Sequence, residues 1–422
     1  MILGMPYLTD EPKTSKKSLV ALMGPAFVAA VAYVDPGNVA ANITAGARYG
    51  YTLVWVLVLA NLMAMLVQYE SAKLGIVTGR SLPQVLGDRL RRPGRLAFWI
   101  QAEVVAGATD LAEVIGGAIA LNLLFGTPLL VGGLIIGVVS LGLLFLQNTS
   151  GQIVFERVII ALLLIITLGF VGGLVVAPPS WQAAVAGLRP TFPNADSVLV
   201  AASMLGATVM PHAIYLHSSL TKDRHGSEHT DDHKRRLLRA TKLDVFWALL
   251  VAGSVNIALV LLAAASLHGP GTGQEDTDTI EGAYHVIAGA LGGGVATVFA
   301  VGLLASGLAS TSVGAYAGSE IMAGLLHIRV PLLARRVVTL IPGLAILAFG
   351  FDPTWALVLS QALLSLGIPF ALLPLIFYTS KKDVMGPFAD PKWLLAINIV
   401  VAALIVALNL GLLVLLGLGM GG

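Results

Sequence analysis

Two short runs of the chain carry residues that could do chemistry. The first is Ala32-Tyr33-Val34-Asp35-Pro36-Gly37-Asn38-Val39, and the second is Gly206-Ala207-Thr208-Val209-Met210-Pro211-His212-Ala213. Each sits inside a long apolar stretch. Proline removes a helix hydrogen bond and clashes with the preceding turn, so both stretches are predicted to break there. In an apolar surrounding each freed carbonyl costs several kcal/mol unless something satisfies it. A cation can. The half-helices ending near Val34 and Gly206 would also point the negative ends of their dipoles at the gap. Asp35 adds a full negative charge, and Asn38, three residues on, faces the same side. Asp35 before Pro36 is also a good helix start, and the two roles are compatible. Met210 stands at the same cap position of the second break, where its side chain cannot cap. Its thioether is a soft ligand that favours transition metals over Ca²⁺ and Mg²⁺. The Ala207 carbonyl is a weaker companion ligand.

Further polar residues lie in apolar stretches. Glu103, Asp110 and Glu113 are spaced by seven and three, which places them on one helical face. Three carboxylates in one membrane helix are too costly to be filler, and such chains serve as proton relays or ion paths. They also have structural partners available in Arg335 and Arg336, which otherwise snorkel to the nearest membrane surface. Gln361 and Asn256 either bond neighbouring helices or complete a cation's shell. His212 has three readings: metal ligand, proton acceptor or packed side chain. His217 reads as packing.

The elements that must position these residues are membrane helices. Of 422 residues 57 % are hydrophobic and only 11 % charged, against about 25 % charged in soluble domains. So few charges cannot cover a water-facing surface. Apolar runs near 19–48, 51–75, 95–124, 128–148, 154–177, 197–220, 243–267, 292–323, 332–349, 353–378 and 391–418 are each long enough to cross about 30 Å of hydrocarbon. The eighth reads as one long helix or as a helix preceded by an amphipathic segment near 278–291. With the N-terminus in the cytoplasm, every Lys and Arg except Arg48 and Arg189 falls on the inner side, the distribution that membrane insertion favours. An odd number of spans puts the C-terminus outside. The polar segment 1–18 is not a cleavable signal. With no cysteine, a bound metal must take oxygen, nitrogen or thioether ligands.

The expected fold is therefore an all-α integral membrane protein of about eleven spans in the cell's inner (plasma) membrane. The breaks fall in the first and sixth spans, matched positions if helices 1–5 and 6–10 form two halves. Five is odd, so the second half is inverted, and a matched pair of broken helices points to a transporter site at the bilayer midplane. The division is 1–18, a cytoplasmic segment; 19–178, the first repeat; 179–378, the second repeat with its preceding outer loop; and 379–422, an additional helix.

Asp35-Pro36-Gly37-Asn38 paired with Met210-Pro211-His212 resembles the Nramp family of proton-coupled divalent metal transporters. The resemblance covers nearly the whole chain. It implies the broken-helix fold of amino-acid and neurotransmitter symporters, Mn²⁺ and Fe²⁺ as transported substrates, and Asp35, Asn38, the Ala207 carbonyl and Met210 as ligands. It implies proton or gating work for His212 and a proton route through Asp110 and Glu113 toward the ninth span. Family relatives that carry Mg²⁺ or Al³⁺ lack the methionine.

The expected partners are divalent transition-metal ions, protons and the lipid bilayer, with no nucleic acid and no prosthetic group; a monomer suffices. Rivals are an amino-acid symporter, disfavoured by Asp35 and Met210, a passive metal channel, and an intramembrane enzyme, for which no His-Glu-x-x-His or Gly-x-Gly-Asp motif is present. The His-rich segment 225–233 reads as a polar cytoplasmic loop. Glu275, Asp276 and Asp278 either steer cations or line a solvated loop. Glu70, Asp244 and Glu320 are expected to be solvated or ion-paired near the inner surface.

Overall fold

A computed structural model describes residues 22–150, 152–226, 230–269, 279–328 and 330–418. The segment 1–18, residues 227–229 of the His-rich loop, the acidic positions 275, 276 and 278, and Arg329 lie outside the described residues. Among those described there is no strand.

The first apolar stretch is broken as expected. Helix α1 (Pro25–Val31) tightens into a 3₁₀ turn over Ala32–Val34, and α2 (Pro36–Tyr49) restarts after Asp35. Next come α3 (Val54–Thr78), the short α4 (Leu82–Arg89), α5 (Arg92–Phe125), α6 (Leu129–Ser150), α7 (Gln152–Val176) and the short α8 (Trp181–Ala186). The sixth stretch is also two helices, α9 (Ala195–Thr208) and α10 (Pro211–His225). Then follow α11 (Asp231–Ser266), α12 (Ile280–Leu291), α13 (Gly293–Leu326), α14 (Leu332–Phe349), α15 (Pro353–Thr379), the single turn α16 (Lys382–Met385) and α17 (Lys392–Gly417). The amphipathic segment before the eighth span is thus a separate helix. It is capped by Thr279, whose side chain accepts from the Gly282 N–H, and it ends at Gly292, whose φ of 92° suits only glycine.

All eleven apolar stretches read from the sequence are helical. Eight helical stretches among the described residues, α9 and α10 counted together, are long and apolar enough to cross a membrane. Outward-facing Leu, Val, Ile and Phe side chains cover the bundle, the inverse of a soluble surface and the natural one in lipid.

Packing places the broken helices at the centre. Helix α2 lies against α11 and α9, α9 against α15, α10 against α3 and α13, and α5 against α13 and α15. Helix α1 packs on α11 and α7. Asp244, on α11, is buried rather than solvated. Its carboxylate accepts from the Gly24 N–H at 3.1 Å and the Ala26 N–H at 3.0 Å, supplying partners that the first turn of α1 lacks. Glu70 is also buried, ion-paired with Lys73 at 3.3 Å, and Lys73 in turn contacts Asp390 ahead of α17.

Candidate metal-binding site and the charged network beside it

The two breaks meet. The Asn38 side-chain Nδ2, on α2, donates to the Tyr33 carbonyl at 2.5 Å and to the Ala207 carbonyl at 3.2 Å. One amide therefore spans both gaps. Asp35 caps α2, its Oδ1 accepting from the Asn38 N–H at 2.9 Å. Met210 occupies the same cap position of α10, makes no cap hydrogen bond and is fully buried. Its sulfur is thus held where Ser or Asp would ordinarily stand.

Gln361, on α15, closes the site from a third side. Its Nε2 donates to Asp35 Oδ2 at 3.3 Å, and its Oε1 is buried without a hydrogen-bond partner. Both breaks approach Gln361 closely at a glycine. A Cβ at Gly37 would stand 1.7 Å from Gln361 Nε2, and one at Gly206 would stand 2.1 Å from the Gln361 carbonyl oxygen. Asn256, on α11, donates to the Tyr33 carbonyl at 2.8 Å. Ser306, on α13, donates to the Val34 carbonyl at 2.5 Å. The carbonyls freed by the first break are therefore held by side-chain donors from three helices. Among the described residues, no three His, Asp or Glu side chains gather in a metal-sized space. Hydrogen bonds link Asp35, Asn38, Gln361 and the Ala207 carbonyl, and with the buried Met210 at the second break the candidate donors are one charge, amide and carbonyl oxygens, and one soft sulfur.

The second cluster begins two residues past Met210. His212 Nδ1 lies 3.3 Å from Thr109 Oγ1 on α5, and the next residue of α5 is Asp110. Asp110 Oδ1 meets Arg336 Nη1 at 2.9 Å, and Glu113 Oε2 lies 3.9 Å from the same nitrogen. Arg336 Nε also donates to Ser140 on α6 at 3.2 Å. Arg336 therefore does not snorkel; it is fully buried between α5 and α6. Glu103 stands apart from this pair. It is bound by the neighbouring Arg335 at 2.8 Å and is partly exposed. The carboxylates lie along one helix, yet the adjacent arginines divide them into two pairings. His217 is buried as expected, with Nδ1 2.8 Å from Gln68 Oε1, and Gln68 in turn bonds the Tyr33 hydroxyl at 2.5 Å.

A broken-helix pair capped by Asp and Met, with a buried carboxylate–arginine network one helix away, now stands beside a family comparison. The family model for natural resistance-associated macrophage protein-like proteins, Nramp, matches residues 26–415. The chain belongs to the Nramp family. A relative from Mycobacterium tuberculosis H37Rv, named divalent metal cation transporter MntH, is 57 % identical over 97 % of this chain and 94 % of its own. The Bacillus subtilis relative of the same name is 45 % identical over 94 % of this chain and 93 % of its own. Among solved structures, the manganese transporter of Eremococcus coleocola matches with a TM-score of 0.84 at 31 % identity, over 93 % of this chain and 86 % of that one. MhsT in complex with L-phenylalanine matches with a TM-score of 0.58 at 14 % identity, over 92 % of this chain and 98 % of that one, a likeness of fold alone. These Nramp relatives are transporters, not enzymes.

Sequence reading did not single out Asn42, Thr109, Ser306 or the Tyr33 carbonyl. Asn42 and Thr109 carried a usable signal: each is a polar residue in an apolar span, four positions after Asn38 and one before Asp110. The Tyr33 carbonyl and Ser306 became visible only through the contacts of the folded chain.

Proposed function

We propose that this Nramp protein imports Mn²⁺ and Fe²⁺ together with protons by alternating access. Divalent metal cation transport is the activity named for its relatives at 57 % and 45 % identity, and this chain is a multi-pass membrane transporter of the same family. The observation that carries the metal reading is the bridge of Asn38 to the Ala207 carbonyl, with Asp35 and Met210 as the facing caps. Asp35 supplies charge. The Asn38, Gln361 and Ala207 oxygens replace part of the water shell, and the Met210 thioether selects a softer ion than Ca²⁺ or Mg²⁺.

Protons would leave the site through His212 and Thr109 toward Asp110, Glu113 and Arg336. Two carboxylates facing one guanidinium can hold a proton between them without leaving a net charge in the bilayer. Glu103 and Arg335 would continue the route toward the cytoplasm. The eleven helical stretches would all cross the membrane, with the N-terminus inside, the C-terminus outside, repeats at 19–178 and 179–378, and an added helix at 379–422. A monomer would suffice.

The test is Mn²⁺ uptake into proteoliposomes with internal pH read in parallel, comparing the intact protein with Asp35→Ala. Saturable uptake that acidifies the lumen and is lost in Asp35→Ala is the expected result. Uptake that neither saturates nor responds to pH would make the protein a metal channel. Uptake undiminished in Asp35→Ala would remove the proposed site.

A further inference from the structure

Asn42 lies one turn beyond Asn38 on α2 and is fully buried. A buried amide ordinarily pairs both of its ends. Asn42 pairs one. Its Nδ2 donates to Asn38 Oδ1 at 3.0 Å and to Asn256 Oδ1 at 3.2 Å, while its Oδ1 has no hydrogen-bond partner. The far ends of the same two amides point at the breaks. Asn38 Nδ2 donates to the Tyr33 and Ala207 carbonyls, and Asn256 Nδ2 donates to the Tyr33 carbonyl. Backbone carbonyls only accept, so these neighbours fix which end of each amide faces the gap.

That orientation is opposite to the one a cation needs. An amide binds a metal through oxygen, yet here N–H groups occupy the carbonyls of the broken helices, in the role a positive ion would take. For Asn38 to present Oδ1, its Nδ2 must turn toward Asn42 and find an acceptor there. The only acceptor Asn42 has is its unpartnered Oδ1, and bringing that atom round means turning Asn42 as well. Asn256 faces the same Asn42 group. If it stayed, two oxygens would oppose each other, so it turns too, and its own Oδ1 comes to the gap.

We propose that Asn42 is the coupling residue of a three-amide switch: Asn38, Asn42 and Asn256 turn together, from N–H toward the breaks to oxygen toward the ion. This rests on the ligand role proposed above for Asn38. In either setting Asn42 makes two hydrogen bonds and leaves one end unpaired, so neither setting is locked and the cation decides between them. Asn42 touches no ion itself. It is a positioning residue, and it brings Asn256 into the ligand shell together with Asn38.

The test is binding of Mn²⁺ and Cd²⁺ to the purified full chain by calorimetry, with proteoliposome uptake alongside. Asn42→Asp can accept from both amides and cannot donate as a carboxylate, so it presets the loaded orientation. Its Kd is expected to fall several-fold. Asn42→Leu removes its hydrogen bonds in both settings, so Asn256 no longer turns with Asn38 and one amide oxygen is missing from the loaded shell. Its Kd is expected to rise about tenfold, the scale of one lost polar contact to the ion. A purely structural residue would shift both variants in the same direction, and that result would overturn the proposal. Simple attraction by the added carboxylate is separated by repeating Asn42→Asp on Asn38→Ala. The switch predicts that the gain shrinks there, since only Asn256 is left to turn, whereas an equal gain in both backgrounds overturns it. If Asn42→Leu cannot be purified, Asn42→Asp compared on the unaltered and Asn38→Ala backgrounds still decides, and a rise in Kd for Asn42→Asp overturns the proposal. If the unmodified chain binds neither ion, the metal-site reading itself fails, a result distinct from any Asn42 outcome.

Discussion

Met210 is a helix cap chosen against stability. Ser, Thr, Asp or Asn at a cap accepts a hydrogen bond from the first turn and is worth about 1 kcal/mol over a residue that cannot. Met210 makes no such bond and is buried at the break. Met210→Ser should therefore raise the stability of the purified protein by roughly 1 kcal/mol, read as a higher unfolding temperature, while weakening selectivity. Met210→Ala should retain part of the Mn²⁺ uptake, because Asp35 still supplies charge, but admit Ca²⁺ and Mg²⁺ as competitors. Ca²⁺ excluded as well as before in both variants would show that the thioether does not discriminate. Asp35, Asn38 and Met210 were legible in the sequence because each breaks a local rule: a charge in lipid, an amide beside it, a cap that cannot cap. Asn42 shows in the sequence only as a polar residue in an apolar span one turn after Asn38, a signal it shares with amides that merely bond a neighbouring helix. Its meaning depends on Asn256, more than two hundred residues away, and on an unpaired oxygen that only the packed structure reveals.

The broken helices and α15 depend on each other at the level of elements. Gln361 lies against Gly37 through the end of a flexible side chain but against Gly206 through its backbone. The two glycines should therefore differ in what they tolerate. Gly37→Ala can be accommodated by moving the Gln361 amide, so the protein should fold, with the hydrogen bond from Gln361 to Asp35 broken and Mn²⁺ uptake reduced. Gly206→Ala has no such escape, since helix α9 must move away from α15. Overpacking of this kind costs typically 1–3 kcal/mol, so Gly206→Ala should lower the unfolding temperature and the folded yield far more than Gly37→Ala. Thermal unfolding of both variants in detergent checks the order, and equal losses would count against this packing. The helices themselves were readable, because runs near 20 apolar residues have few other fates and the Pro-interrupted pair announced itself. What escaped was the interior of α14. Arg335 and Arg336 sit where a sequence reading allows snorkelling, yet Arg336 turns inward to Asp110, Glu113 and Ser140. Adjacent residues on a helix point in different directions; both arginines are buried, and only the positions of α5 and α6 decide which carboxylates each one meets.

The whole molecule is tied at both ends around a closed site. At one end the α1 backbone is held by Asp244, Arg224 lies 3.6 Å from Glu156, and the Tyr316 hydroxyl donates to Asp223 at 2.6 Å. At the other end Arg48 and Tyr49 meet Asp196, and His268 Nδ1 bonds the Ala47 carbonyl at 2.9 Å. Asp35, Asn38 and Met210 are fully buried between them. The alternating access proposed for this chain would require one set of ties to open while the other holds. The two sets differ in kind. Arg48 and Asp196 are well exposed, a type of ion pair worth about 0–1 kcal/mol, whereas the Asp244 cap is buried and satisfies the backbone of α1 itself. Asp244→Ala should therefore release α1 and favour the state open at that end. Losing such a cap costs about 0.5–2 kcal/mol, enough to change the open population severalfold or more. The chain contains no cysteine, so a single substitution A30C in α1, at a fully buried position, provides the only thiol. It should react slowly with a water-soluble thiol reagent in the otherwise unaltered protein, and about tenfold faster with Asp244→Ala, a factor that corresponds to roughly 1.4 kcal/mol. Arg48→Ala should not speed that reaction. If the two variants expose A30C equally, α1 is not the element that the Asp244 cap holds shut.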